Sequence, residues 1–375
     1  MALRKARAAV GAAPEVEAAA DEVLGKGNAV DAVIAGVFAA CAVSPGVLLG
    51  PVQLLVGGAG AGLLAIDGRV RQPGLGAPRP RGFMSAEEIP DAARVGVPWL
   101  PATMSAALAT MGTATFNQVL GPAVALAKNT ARKEVIERIA ARGPRAVEER
   151  PLAVELLAVA GRPSGGLLTT DDLASPRPEV QRATRIELVT PAVASRAAPV
   201  SGTTRQGSRS LSAELARKRS ASGEPEPRVL VTFPWTHIEA DLPAPPAHGV
   251  DVARVRAVAA VDRNSTFAVA CWDEATDGLL IPELGLRAPF FAEPVRRGQT
   301  RVRPGDVRPA AGPVAFVGTA AAPDVALAAF GAADAYSVLA QVIESIVTEE
   351  RIEAHGDARL VALAHSNGTA SVLRS

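Results

Sequence analysis

The chain has 375 residues, enough for one large domain or two ordinary ones and for a substantial buried core. Its 39 basic residues balance 38 acidic ones, a formal +1, so no global field gathers nucleic acid or an acidic membrane surface. Hydrophobic residues reach 48% while aromatics stop at 3%, so the core must be built from Ala, Val and Leu, which suits closely stacked layers of sheet and helix.

Along the chain, the N-terminal segment has a basic start but no apolar stretch after it, because Pro14, Glu15 and Glu17 intervene. It reads as neither a secretory signal nor a membrane span, and a cytoplasmic location is expected. Glu15 to Leu24 has helical composition, with Pro14 suited to a first turn and glycines at the end. Asn28 offers a cap for a second helix to about Cys41, apolar nearly all round and therefore buried on more than one side. Val52 to Val56 and Leu63 to Ile66 read as strands joined by glycines. A strand, not a helix, follows the glycine run, which argues against a dinucleotide site.

Ala102 to Lys128 reads as two helices parted near Gly112-Thr113, and Lys133 to Ala160 as further helix. In LLTTDDLA, Thr170 or Asp171 is the expected cap of a short helix, and Ile186 to Val189 is a short strand. From 203 to 228 the composition turns to Ser, Arg, Gly, Pro and Glu, which predicts a flexible linker or loop carrying the basic cluster Arg217, Lys218 and Arg219. Apolar runs then resume: Arg228 to Phe233 is a strand, and Val255 to Val261 with Phe267 to Cys271 is a hairpin around Asp262-Arg263-Asn264-Ser265. The pattern closes with a helix from about Ala335 to Glu349 and a hairpin through Ser366-Asn367-Gly368. Cys41 and Cys271 both sit in apolar runs and read as buried small hydrophobes. The spacing of His237, His248, His355 and His365 fits no metal motif, so surface or turn histidines are expected, with no metal and no cofactor.

Several segments resemble gamma-glutamyltranspeptidases, of the N-terminal-nucleophile hydrolase superfamily, in the same linear order. VLGKGNAVDAVIAG (23 to 36) is similar to that family's glycine break followed by an Asn-Ala-Val-Asp-Ala helix. GGAGAGLLAIDG, VGVPWLPATMSAAL (95 to 108), GPAVALA (121 to 127), GGLLTTDDLA (165 to 174) and AVAAVDRNSTFAVAC (257 to 271) follow in turn. The resemblance implies an α+β fold, a four-layer αββα sandwich. Residues 1–202 resemble the family's large subunit, 203–228 form the linker, and 229–375 resemble the small subunit, all within one continuous domain.

The family's chemistry needs a threonine freed as a new N-terminus, its amine acting as base, together with an arginine clamp and oxyanion donors. Placing the family's turn Asp on Asp262 puts Val255, Arg256 and Ala257 at its Thr-Thr-His. Gly74 and Leu75 fall at the Arg-Glu of the carboxylate clamp, and Ala310 and Ala311 at its serines. Of its polar substrate-binding stretch only Glu283 keeps a polar side chain, and Gly331-Ala332 aligns with the oxyanion glycine pair. Two readings stay open. One is an unprocessed, inactive member with a binding or assembly role, its partner an unknown small ligand or protein and neither nucleic acid nor membrane. The other is an active gamma-glutamyl hydrolase or transferase, or related amidohydrolase, with Thr236 or Thr266 as relocated nucleophile.

Overall fold

The computed structural model describes residues 7–58, 60, 62–78, 82–188, 209–214, 226–246, 250–366 and 369–375. Strand β1 (Ala8–Gly11) leads into helices α1 (Pro14–Leu24) and α2 (Ala29–Val43), then into strands β2 (Val52–Gly58) and β3 (Gly62–Gly68). A helical block follows: α3 (Leu100–Met111), α4 (Phe116–Leu126), α5 (Thr130–Arg142), α6 (Leu152–Ala160) and α7 (Thr170–Ala174). Next come β4 (Val180–Arg182), β5 (Thr184–Leu188), β6 (Arg209–Glu214), β7 (Arg228–Thr232), β8 (His237–Glu239) and β9 (Leu242–Ala244). Strands β10 (Val255–Val261), β11 (Phe267–Asp273), β12 (Leu279–Ile281), β13 (Leu286–Ala288), β14 (Val314–Gly318) and β15 (Pro323–Phe330) precede α8 (Ala335–Glu349). The chain closes with β16 (Arg351–Gly356), β17 (Arg359–Ser366) and β18 (Thr369–Arg374).

Two six-stranded antiparallel sheets carry the architecture, in the orders β1-β10-β11-β2-β3-β4 and β18-β17-β15-β14-β7-β5. Period-two alternation shows how they stack. On β10, Val258 and Ala260 join a core shared with α1 to α6, whereas Val255, Ala257, Ala259 and Val261 join a core shared with the second sheet. Strand β11 repeats the pattern, with Ala268, Ala270 and Trp272 toward the helices and Phe267, Val269 and Cys271 inward. Helix α8 lays its apolar stripe from Ala335 to Val347 into the same core as the second sheet. The order helix, sheet, sheet, helix is the expected four-layer sandwich.

Helix α2 is the centre of the first helical layer. All its residues but Val43 are buried, as an apolar surface on every side demands. Its Gly36 lets it lie directly on β10, since a β-carbon there would sit 3.0 Å from Val258 Cγ2. The N-terminus is closed reciprocally: Asn28 Oδ1 accepts the amides of Val30 and Asp31, and Asp31 accepts the amide of Asn28 at 2.9 Å. Asp31, fully buried, also accepts the Thr113 amide at 3.0 Å and its hydroxyl at 2.6 Å. One carboxylate therefore ties the start of α2 to the α3–α4 connection. The Asp262 carboxylate adds a contact from the β10–β11 turn, accepting the Ala29 amide at 3.3 Å.

Some expectations shift. The cap of α7 is Thr169, not Thr170 or Asp171: its hydroxyl accepts the Asp172 amide, and the Asp172 carboxylate returns a bond to the Thr169 amide. Of the predicted 203–228 linker, 203–208 and 215–225, with Arg217, Lys218 and Arg219, lie outside the described residues. Within it, 209–214 form β6, antiparallel to β16. The turn residues 367–368 of the last hairpin and His248 also lie outside. Cys41 and Cys271 are free and buried, and burial pushes both thiols up. His365 departs from the expectation of a surface histidine, being 8% exposed.

Replacing Asp31 by Ala strands several amide donors beneath α2, where each hydrogen bond to a charged acceptor contributes about 1.5–3 kcal/mol. Asp31→Ala should lower unfolding free energy by about 3 kcal/mol in urea denaturation. A loss below about 1 kcal/mol would show that the capping network is dispensable.

Candidate functional site

Strand β10 begins at Val255, which is 1% exposed and faces the second sheet. The residues on either side of it are fastened. Arg254 grips Asp273 through Nε at 3.0 Å and Nη2 at 3.2 Å, and reaches Asp277 through Nη1 at 2.7 Å. Its carbonyl accepts the Glu274 amide at 3.0 Å. Arg256 pairs with Glu274 at 3.0 Å and donates to the carbonyls of Ala253 and Val255. Burial pushes the Asp273 carboxyl up to about 6, against the pull of Arg254. Neither hydroxyl nor thiol stands at this strand head, so no nucleophile is presented there.

Beside it lies a cavity of about 270 Å³ lined by Gln53, Arg69, Trp235, Thr236, Ala310 and Tyr336, among others. Register places it: Gln53 pairs across β11 with Cys271, which pairs with Ala257 of β10. Trp235 forms its wall, stacked on Phe233 with ring centroids 5.2 Å apart, while the Arg69 guanidinium lies 4.6 Å from its ring centroid. Its indole N–H donates to Gln53 Oε1 at 2.6 Å, and Gln53 Nε2 donates to the Ala311 carbonyl at 2.8 Å. Arg69 is held two-pronged on Asp67, which also accepts from Arg71. Burial works to raise the Asp67 carboxyl, yet the two guanidiniums hold it below its ordinary value. The Tyr336 hydroxyl accepts the Gly312 amide at 2.8 Å, and burial raises its pKa, so it stays a neutral donor. Among the described residues the lining contains no carboxylate, and its polar groups are chiefly donors.

The residues singled out from sequence do not converge. Thr236 stands in the cavity wall beside His237, but its hydroxyl bonds that of Thr232, at 3.1 Å, and no base is hydrogen-bonded to it among the described residues. Thr266 lies at the far end of β10, its amide donating to Asp262. Glu283 is exposed in the short turn after β12, away from the cavity. Gly331 follows β15, and its open α-carbon side faces Arg256 Nη1. The Gly74–Leu75 segment is anchored by the Asp172 carboxylate, which accepts both amides at 2.8 and 3.0 Å. Sequence reasoning missed Gln53, Arg69 and Tyr336; the available signal was Gln53, a lone polar residue inside an apolar strand. A larger groove of about 930 Å³ runs between β1 and β18, where Arg374 and Glu17 neutralise each other at 2.6 Å.

No protein-family model matches the sequence, and no curated protein does either. Among solved structures, the chain is similar to cephalosporin acylase from Bacillus halodurans, with a TM-score of 0.67 and 13% identity over 99% of this chain and 94% of that one. It is similar also to LmbA2991T421A, at a TM-score of 0.69 and 12% identity, covering 99% and 97%. These likenesses span both sheets and all layers and establish the fold as theirs. The match to Helicobacter pylori gamma-glutamyltranspeptidase covers 49% of this chain and 68% of that one at a TM-score of 0.44, too little to argue from.

The raised Asp273 carboxyl has a pH signature. Its folded-state value of about 6 exceeds the unfolded 3.8, so its stabilising contribution is complete below about pH 4 and lost as pH rises through 6. The difference in Tm between wild type and Asp273→Asn should therefore shift against wild type between pH 4 and 7. A constant difference would show that Asp273 titrates normally.

Proposed function

We propose that this chain is an unprocessed, catalytically silent protein of gamma-glutamyltranspeptidase-like fold that works by binding, through the cavity beside the head of β10. The single observation that carries the reading is the buried Val255 at that head, where the sequence resemblance calls for a nucleophilic threonine. Valine supplies no hydroxyl for self-cleavage or for attack on an amide. The ion pairs of Arg254 and Arg256 occupy the space around it with structural contacts. Across the neighbouring strands, the cavity keeps a volume suited to a small molecule or a single side chain, with donors from Arg69, Thr236 and Tyr336. Those groups favour an acceptor-rich ligand or an acidic side chain of a partner.

The rival reading, turnover by Thr236 or Thr266, lacks a base hydrogen-bonded to either hydroxyl among the described residues. Purified protein should not hydrolyse a gamma-glutamyl anilide above the solvent rate. Turnover that disappears on Thr236→Ala would sink the proposal and establish the rival. Occupancy of the cavity should appear as a change in Trp235 emission that is absent in Trp235→Phe; Trp99 and Trp272 supply the constant background.

A further inference from the structure

The opposite end of β10, roughly 20 Å away at strand rise, carries a different arrangement. The β10–β11 turn is closed by the Ser265 amide donating to the Asp262 carbonyl at 3.2 Å and the Asp262 amide donating to the Thr266 carbonyl at 3.1 Å. The Asp262 side chain accepts the Asn264 amide at 2.8 Å and the Thr266 amide at 3.1 Å, so the turn is rigid. Gly58 of β2 seals it from beneath: a β-carbon there would lie 2.5 Å from the Ser265 carbonyl oxygen.

Ser265 has φ +60, the left-handed conformation that glycine fills without strain in such a turn. A residue with a β-carbon is strained there. What the serine contributes is its hydroxyl, 2.9 Å from Nδ1 of His365 on the other sheet. His365 is buried, with the Phe267 ring edge-on to it at 6.5 Å, and its Nε2 has no hydrogen-bond partner among the described residues. An orphaned buried polar atom is destabilising, because its lost hydration is not replaced. A latch between the sheets would need neither the strained backbone nor the orphaned nitrogen. Two local rules are broken at one pair of residues, and such coincidences mark sites kept for chemistry rather than stability.

We propose that Ser265 and His365 form a second, reactive site: a serine nucleophile with an imidazole base, able to take an acyl group from an activated ester. With the imidazole proton on Nε2, Nδ1 is free to accept the serine proton. The Ser265 oxygen then bonds to the ester carbonyl carbon, and the bond to the leaving phenolate breaks. The proton passes from Nδ1 to the phenolate, giving acyl-Ser265 and a phenol. No carboxylate holds Nε2, so the base lacks the support of a triad, and donors with good leaving groups are its range, not amides. This site is independent of the binding reading: that reading concerns self-cleavage and amide attack at the head of β10, and a single acyl transfer to Ser265 leaves the chain at Val255 intact and turns over no gamma-glutamyl amide.

The test is incubation of the full chain with p-nitrophenyl acetate, reading phenolate release and mapping the acetyl group by peptide mass spectrometry. One acetyl group should map to Ser265. His365→Gln should slow its formation about 100-fold. Ser265→Gly, which suits the left-handed turn, should keep or raise Tm while forming no adduct at this position. Acetyl groups found elsewhere with Ser265 unmodified would overturn the proposal. So would unchanged labelling of Ser265 in a folded His365→Gln variant. Should that variant fail to fold, the wild-type map and Ser265→Gly still decide.

Discussion

The whole structure depends on the closed apolar interface between the two sheets. Val255, Ala257, Ala259 and Val261 of β10 and Phe267, Val269 and Cys271 of β11 press against a second sheet of Val, Ala and Leu with Phe316 and Phe330. Side chains of this size let the layers approach closely, which replaces the bulk that a chain with 3% aromatics lacks. The same packing carries through to the head of β10, so the end of the strand is one more core position. Polar groups return only outside that position, as the paired Arg254 and Arg256 and as the donor-lined cavity.

Much of the fold was legible in sequence because its signals were local. Helix α8 runs from Ala335 to Glu349 as its periodicity predicts, and Asn28 caps α2. The β10–β11 hairpin lies where its turn residues place it. Strands β1, β14 and β15 were not read. They are buried on both faces, so they show no alternation; β1 and β15 are also rich in alanine, and β14 is a five-residue run too short to stand out. Thr169 outcompeted Thr170 and Asp171 as a cap because its extended backbone leaves the hydroxyl facing the Asp172 amide.

The site was less legible because it is assembled from distant segments. Thr236 was found through a local Trp-Thr-His cluster and does line the cavity, but Gln53, Arg69 and Tyr336 meet it from separate parts of the chain. Ser265 and His365 are 100 positions apart, and no spacing rule connects them. The two ends of β10 thus differ in kind. One is well packed with both its arginines ion-paired, the other carries strain and an unpaired ring nitrogen.

The central claim is that the strand head is core rather than nucleophile, and the mass of the purified protein after prolonged incubation tests it most directly. A single species of 38.3 kDa with its original N-terminus is expected. Two fragments in equal amounts, the second beginning at a threonine or serine, would contradict it.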